Sequence, residues 1–563
     1  MFQGLITGFS GLLTPDALAL LLLGTLIGTL VGAIPGLGGA VLLTLLLPFI
    51  YGMPIVPALA LLLAAHTGIY FSGSVTAILF NTPGAPESAA TTFDGYAMTQ
   101  AGQPARALGI SAAATTIGGW IGVALLFVLI PFMSRLATLF HASEYLALAV
   151  LAIVLIGQMR AASVTKGLLS GAIGLMTSFV GYDPITGVQR FTNGYESLYS
   201  GFNITAAALG LFALSEMFRL YASGRGGLAA ELGSGTKSNH PDNRVLLGVR
   251  DVLHHPWLTI RSAILGTVLG IVPGIGGIAA NFISYGQAMK TSKHPERFGQ
   301  GTPEGIIAPE ASSISKEAGN LLPTVALGVP GGVGMAVLLS GFTILGIVPG
   351  PAMLKDHVDA VWAMALVIGV GSLLSSLTGL GLAPLLGRLA QVPGRMLVPF
   401  VIALGFLGVF AAADDMAQVT VMVGFGVVGY LMTRFGYSLP AAMIGFILGK
   451  VVENNLYLVS QLQGWGALKR PITDLMVLIT LLSLFGPLLK RGMRVLMPRR
   501  TGAVGTAALP APVDGGTPDD DGPDDEERDD DGRDDDGQDG VPATARAAGT
   551  STTSGDSSTG EER

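Results

Sequence analysis

The chain has 563 residues, half of them apolar and only 12% charged, with a mean hydropathy of +0.60 and a net charge of −7. A soluble domain carries about twice that share of charge, so the composition points to a polytopic membrane protein. There is no cysteine, which excludes disulfide frameworks, thiolate metal sites and thiol nucleophiles.

The N-terminus, MFQGLITGFS, has neither a basic stretch nor a small-residue exit, so the first span is expected to be retained rather than cleaved. Apolar blocks follow near 17–50, 55–80, 105–133, 145–157, 167–181 and 203–220. After a polar stretch they resume near 259–283, 320–348, 360–390, 397–412, 417–433, 438–458 and 472–489. The first block holds GAIPGLGG, Gly32 to Gly39, in the middle of an uncharged apolar run. Backbone groups freed at such a break cost several kcal/mol each in hydrocarbon, so the break must line protein or a polar cavity.

The same motif recurs. LIGTLVGAIPGLGG (Leu26 to Gly39) aligns without a gap with ILGTVLGIVPGIGG (Ile264 to Gly277) at an offset of 238, sharing Gly28/Gly266, Thr29/Thr267 and Gly32/Gly270. A second Pro-Gly break follows in each half, LFNTPGAP around Pro83 and ALGVPGG around Pro330. LGLFALSE (Glu216) and LGKVVENN (Glu453) lie 237 apart. We read a duplicated unit of about 240 residues. The expected organisation is a first membrane repeat over 1–220, a cytoplasmic loop over 221–258, a second repeat over 259–463, and a last span with a basic end over 464–500. An acidic tail over 501–563 follows.

Charge sets orientation. Arg219, Arg225, Lys237, Arg244, Arg250 and Arg261 in the central loop, and Lys490, Arg491, Arg494, Arg499 and Arg500 after the last span, belong in the cytoplasm by the positive-inside rule. That favours inverted over parallel repeats, although Lys469 and Arg470 then fall on the outer side. One block per half must enter and leave on one side, and the Gly/Pro-broken block is the natural re-entrant hairpin. The tail after Thr501 holds 18 acids against four arginines, which leaves 20 acids and 27 bases before it. Its PDDDGPDDEERDDDGRDDDGQDG is low-complexity and reads as disordered. The fold class is therefore all-α, two inverted repeats with Gly/Pro-broken helices or re-entrant hairpins, plus that tail.

Paired broken helices are the best sequence pointer to a transporter's binding site, because a half-helix N-terminus offers free N–H donors and about half a positive charge to an anion. The candidate substrate residues are accordingly Pro35, Gly36, Gly38 and Gly39 in the first break, and Asn81, Thr82, Pro83 and Gly84 in the second. In the other half they are Pro273, Gly274, Gly276 and Gly277, then Pro330, Gly331 and Gly332. The four tips at Pro35, Pro83, Pro273 and Pro330 are expected to converge near the midplane. Ser312 and Ser313 in APEASSISKEAGN add hydroxyl donors. Asp183 and Asp414, at corresponding block ends, are candidate ion ligands, with helix capping the alternative. His66, Glu310, Lys316 and Glu317 stand out as ionisable groups in or beside spans, while Glu216 and Glu453 suggest a repeated structural role.

Longer stretches carry a resemblance. HTGIYFSGSVTAILFNTPGAPESAATTFDGYAMTQAGQPARALGISAAATTIGGWIG, GIVPGIGGIAANFISYGQAMKTSKHPERFGQGTPEGIIAPEASS, GYDPITGVQRFT, GIVPGPAML and KRPI resemble the large membrane subunit of the tripartite tricarboxylate transporter family, over roughly residues 15–490. The resemblance implies a bacterial inner-membrane permease that works with a small four-span membrane subunit and a periplasmic or extracellular solute-binding protein. It would import carboxylates driven by a Na⁺ or H⁺ gradient, with no other cofactor. The chain departs from the family's habit at Ser312 and Ser313, where asparagines are usual, at Gly332 to Met335, where hydroxyl residues are usual, and at Lys450, where proline is.

Other classes fit less well. No basic cluster with interleaved aromatics suggests nucleic acid, and no glycine-rich motif ends in the Lys-Ser/Thr of a nucleotide loop. An intramembrane enzyme would need a nucleophile with its base or paired acids, and no such set stands out. A passive anion channel would show one pore motif per subunit rather than two copies in one chain.

Overall fold

In a bilayer every backbone N–H and C=O must be bonded within the protein, which leaves helices as the natural element for a chain this apolar. The computed structural model describes residues 2–34, 37–137, 140–157, 163–183, 185–222, 240–272, 277–392, 394–463, 466 and 470–496. The acidic tail lies outside them.

In chain order the helices are α1 (Phe2–Leu12), α2 (Pro15–Gly32), α3 (Gly39–Leu46), α4 (Ile55–Phe80), α5 (Thr92–Gln100), α6 (Pro104–Ala137), α7 (Ala142–Gly157) and α8 (Val164–Ser178). A two-residue antiparallel hairpin, β1 (Gly181–Tyr182) with β2 (Gln189–Arg190), precedes α9 (Ile204–Ala208) and α10 (Ser215–Ala222), which a π-helical turn at Leu209–Leu214 joins. The chain resumes with α11 (Val245–His254), α12 (Pro256–Ile271), α13 (Gly277–Thr291), α14 (Pro303–Leu327), α15 (Val333–Ile344) and α16 (Pro351–Asp356). It ends with α17 (Val358–Leu389), α18 (Gly394–Ala413), α19 (Met416–Arg434), α20 (Leu439–Leu458) and α21 (Pro471–Leu496). Among the described residues eight helical stretches are long and apolar enough to cross a membrane: α2, α4, α17 and α19, most of α6 and α18, the α9–α10 stretch, and α20 with its extension to Leu462. The chain is an all-α, multi-pass membrane protein.

The helices break where the Gly-Pro motifs lie. α2 stops at Gly32 and α3 starts at Gly39; α12 stops at Ile271 and α13 starts at Gly277. The apolar block near 320–348 is divided by a further break after Leu327, and α14 extends back to Pro303, far beyond that block. Its hydropathy hid it, because Glu310, Lys316, Glu317 and Asn320 are all buried on a helix that is enclosed by protein rather than lipid. The stretch 221–258 contains α11, whose Asp251 takes two hydrogen bonds from Arg106 of α6, at 2.7 and 3.0 Å.

Glycines common to the two motifs let backbones touch. A Cβ at Gly28 would sit 2.1 Å from the Ala65 carbonyl oxygen of α4, and one at Gly270 would sit 2.2 Å from that of Lys316 on α14. α2 therefore packs tightly on α4, and α12 on α14. The long helices cross over: α6 packs on α14, and α17 on α4. The main apolar core joins α4, α14, α15 and α17, with Phe342 among its largest fully buried side chains, while Phe71 of α4 fills a second cluster with residues of α6 and α14.

At the periphery α8 packs on α20, and the hairpin's Arg190 reaches Glu453 of α20 at 2.5 Å. Glu216 likewise pairs with Arg219, so both matched glutamates hold an arginine. Arg470, awkward for the charge rule, lies 2.7 Å from the buried Glu144 of α7; Lys469 lies outside the described residues.

Candidate functional site

The break between α14 and α15 is built from local chemistry. Gly328 takes the left-handed conformation, φ 69°, that ends α14, and the Gly331 N–H donates to Thr324 Oγ1 at 3.4 Å. Gly332 then caps the start of α15 in extended conformation, and Gly38 does the same for α3. Neither cap has a side chain, so the first N–H groups of both helices stay open to a ligand.

These two helix starts meet. Gly38 and Gly39 from one side and Gly332 and Gly334 from the other line a single cavity of about 90 Å³. His66 and Tyr70 of α4, Glu87 of the turn before α5, and Lys316, Glu317 and Asn320 of α14 form its polar wall. Glu317 organises that wall. Its Oε1 accepts from Lys316 Nζ at 2.7 Å and from the Tyr70 hydroxyl; its Oε2 lies 3.2 Å from His66 Nε2 and accepts from Asn320 Nδ2 at 3.3 Å. The Lys316 ammonium also sits 5.0 Å from the centre of the Tyr70 ring, a cation–π contact.

His66 is held between two glycines. A Cβ at Gly334 would stand 2.3 Å from its Cε1, and one at Gly39 would stand 3.0 Å from its Nδ1. Only glycine leaves room for the ring. His66 Nδ1 is buried and has no hydrogen-bond partner among the described residues. Such an atom calls for a ligand or water. Glu87 lines the cavity too, so what suits it to an anion is the pair of open helix starts, with Lys316 and His66 set against Glu317.

A second, larger cavity of about 490 Å³ adjoins the first and shares Gly38, Ala40, Pro86 and Val333 with it. Pro83 and Gly84 line it, as do Glu216 and Arg219, whose guanidinium donates to Glu216 through Nε at 2.8 Å and through Nη2. Its volume lies in the range of small-molecule sites, about 300–1,000 Å³. The smaller space suits one carboxylate group.

Of the residues singled out in the sequence, Gly38, Gly39, Pro83, Gly84 and Gly332 lie around these joined cavities. Asn81 ends α4 at φ 55° and Thr82 donates to the Phe80 carbonyl, so both shape the turn. Gly331 lies against Asn320, and Gly277 opens α13. Ser312 is buried, donating to the Pro309 carbonyl at 3.0 Å, and neither it nor Ser313 lines either cavity. Asp183 accepts from the N–H groups of Ile185 and Thr186 and lies 3.6 Å from Arg190. Asp414 closes α18 at φ 49°, while Asp415 caps α19 by accepting from the Ala417 N–H. Pro35, Gly36, Pro273, Gly274 and Gly276 lie outside the described residues.

Tyr70 and Asn320 were not singled out. The signal for Tyr70 was present, since His66, Tyr70 and Ser74 are spaced by four and share one helix face. Their partners on α14 could not be read without the fold.

Seven residues before Glu317, Glu310 forms a separate buried centre. Its Oε1 accepts from Ser74 Oγ at 2.7 Å and Thr91 Oγ1 at 2.5 Å, and its Oε2 accepts from Ser111 Oγ at 2.8 Å and Thr115 Oγ1 at 2.9 Å.

With this geometry in place, the chain can be set beside known proteins. The model of the tripartite tricarboxylate transporter TctA family matches residues 18–444. An Agrobacterium vitis protein described as "Uncharacterized 52.8 kDa protein in TAR-I ttuC' 3'region" is 32% identical over 467 residues, 81% of this chain and 89% of that one. Another from that organism, "Uncharacterized protein in TAR-II ttuC' 3'region", is 30% identical over 191 residues, 34% of this chain and 79% of its own. No solved structure matches. The chain belongs to the tripartite tricarboxylate transporter TctA family, whose members are the large membrane subunits of these transporters.

Proposed function

We propose that the chain is the permease of a binding-protein-dependent secondary transporter that imports carboxylates by cation symport across the bacterial inner membrane, and that the joined cavities are its substrate site. The observation that carries this reading is the meeting of two glycine-capped helix starts, α3 and α15, at a wall holding His66, Lys316 and Asn320. One carboxylate of the substrate enters the small cavity. There it takes hydrogen bonds from the open helix N–H groups and, when that nitrogen carries a proton, from His66 Nδ1. The rest of the substrate occupies the larger cavity beside Arg219. Glu317 holds Lys316 in place, so the cation is positioned before the anion arrives.

The two halves are proposed to be inverted repeats, which brings a broken helix from each to one cavity and keeps the basic central loop and C-terminal end cytoplasmic. The small four-span subunit and the soluble binding protein would be its partners. The test is uptake of radiolabelled di- and tricarboxylates into vesicles holding both membrane subunits, with and without the binding protein and an imposed Na⁺ or pH gradient. Uptake that needs both supports the reading. Flux independent of any gradient would instead mark a passive anion channel.

A further inference from the structure

Buried carboxylates in this protein are satisfied in three ways, and one of them leaves a role open. Glu317 has its cation in Lys316. Asp94 of α5 is fixed chiefly by groups that can only donate, the N–H groups of Gly299, Gly301 and Thr302, at 3.0, 2.9 and 2.8 Å, with a single hydroxyl, that of Tyr285, at 2.9 Å. Glu310 has no cation within ion-pair distance among the described residues, and four hydroxyls contact it. A hydroxyl differs from an N–H in that it can turn and present a lone pair.

We propose that Glu310 with Ser74, Thr91, Ser111 and Thr115 is the coupling-cation site of the transporter, taking up one monovalent cation, a proton or Na⁺. The proposal rests on the symport reading above. With the site empty, the four hydroxyls donate to the carboxylate, as observed. When Na⁺ binds, they turn their oxygens toward it, giving the all-oxygen shell that hard cations prefer. When a proton binds instead, the new carboxyl O–H donates to one hydroxyl, which turns to accept. An unpaired buried charge is costly, and either cation removes that cost. Ser88 Oγ, 3.1 Å from Ser74 Oγ, is a further oxygen at the rim.

Charged groups on the surrounding elements have other partners or positions. On α4, His66 and Tyr70 bond Glu317; on α5, Asp94 is tied as described; on α6, Arg106 pairs with Asp251 of α11. On α13, Tyr285 bonds Asp94, and Arg261 of α12 bonds Thr291. Glu87, on the turn Pro86–Thr91, lines the smaller cavity, and Lys290 of α13, Lys355 and Asp356 of α16, and Asp359 and Arg388 of α17 form no ion pair with Glu310 among the described residues.

The site is also placed to couple. Glu310 and Glu317 are two turns apart on α14, about 10 Å along the axis. Their partners Ser74, Tyr70 and His66 are stacked on one face of α4. A shift between α4 and α14 therefore moves the cation cage and the substrate wall together.

The test uses proteoliposomes holding both membrane subunits with the binding protein, and radiolabelled citrate or whichever di- or tricarboxylate the wild type carries. A Na⁺ gradient and a pH gradient are imposed separately, which identifies the cation. Glu310→Gln should reduce accumulation in the effective gradient at least tenfold, while exchange of labelled for unlabelled substrate at equal concentrations continues. Gradient-driven accumulation by Glu310→Gln at the wild-type level would overturn the assignment. Wild-type vesicles with no carboxylate flux at all would overturn the permease reading, and this site with it. Should Glu310→Gln fail to insert, the double variant Ser111→Ala/Thr115→Val keeps the acid but strips Oε2 of its hydroxyls. The cation concentration for half-maximal uptake must then move at least threefold, and an unchanged value would overturn the proposal.

Discussion

Glu310 and Glu317 lie on the same helix, both almost fully buried, and the protein holds them in opposite ways. Around Glu317 the charges are complete: lysine, histidine, tyrosine and asparagine surround it, and what remains open is a nitrogen of His66 that faces a cavity. Around Glu310 the charge is unmatched among the described residues, and hydroxyls meet it. The first arrangement suits a wall for a bound anion, the second a receptacle for a cation. One helix can thus serve both because its surroundings, rather than its own sequence, decide what each acid does.

Removing a charge separates the two acids most clearly. Lys316→Met leaves Glu317 buried without its ammonium, and should destabilise the folded protein by about 3–5 kcal/mol. Glu310→Gln removes a charge that has no ionic partner and leaves hydrogen-bonding groups in place, so its cost should be nearer ~1 kcal/mol. Thermal unfolding of the two variants in detergent measures the difference; equal losses would show that the two acids are held alike.

Gly38→Val is the next largest effect, on transport rather than stability. Among the described residues no atom of a non-adjacent residue lies within 4 Å of the position of its Cβ, and its backbone is one any residue adopts. The side chain should fill the cavity mouth and abolish uptake while the melting temperature stays at the wild-type value. Uptake at the wild-type rate would remove the cavity from the substrate path.

Tyr70→Phe deletes one hydroxyl from the Glu317 network and should cost about 1–2 kcal/mol, with weakened substrate affinity read as a raised KM. Insertion and assembly should be intact, and an unchanged KM would detach Tyr70 from the site.

A smaller effect sharpens the contrast with Asp94. Burial holds its carboxyl above the ordinary 3.8, with the loop N–H groups and Tyr285 pulling the other way. The folded state then holds that proton more tightly than the unfolded chain, so stability should fall as pH rises from the ordinary value through the raised one. Asp94→Asn should flatten that part of the stability profile, and an unaltered slope would assign it to other groups.

Much of this was legible in the sequence. Hydropathy located the membrane helices, and the repeated GTxxG and PG-GG elements marked where helices break, because glycine and proline act through local backbone geometry. Some of those glycines have a plainer task than binding: Gly28 and Gly270 let helices touch. α14 was misplaced for a physical reason, since hydropathy assumes lipid around a span and this helix is surrounded by protein. Which hydroxyls meet Glu310 was hidden for another: Ser74, Ser111 and Glu310 are more than 190 residues apart along the chain in the pairings that matter. Only the crossing of α4 and α6 with α14 brings them together.

A structure of the transporter with a carboxylate bound tests the substrate site most directly. One carboxylate group should lie between the starts of α3 and α15, within hydrogen-bond distance of His66 Nδ1, with the remainder toward Arg219. A carboxylate bound elsewhere, with His66 Nδ1 still without a partner, would contradict it.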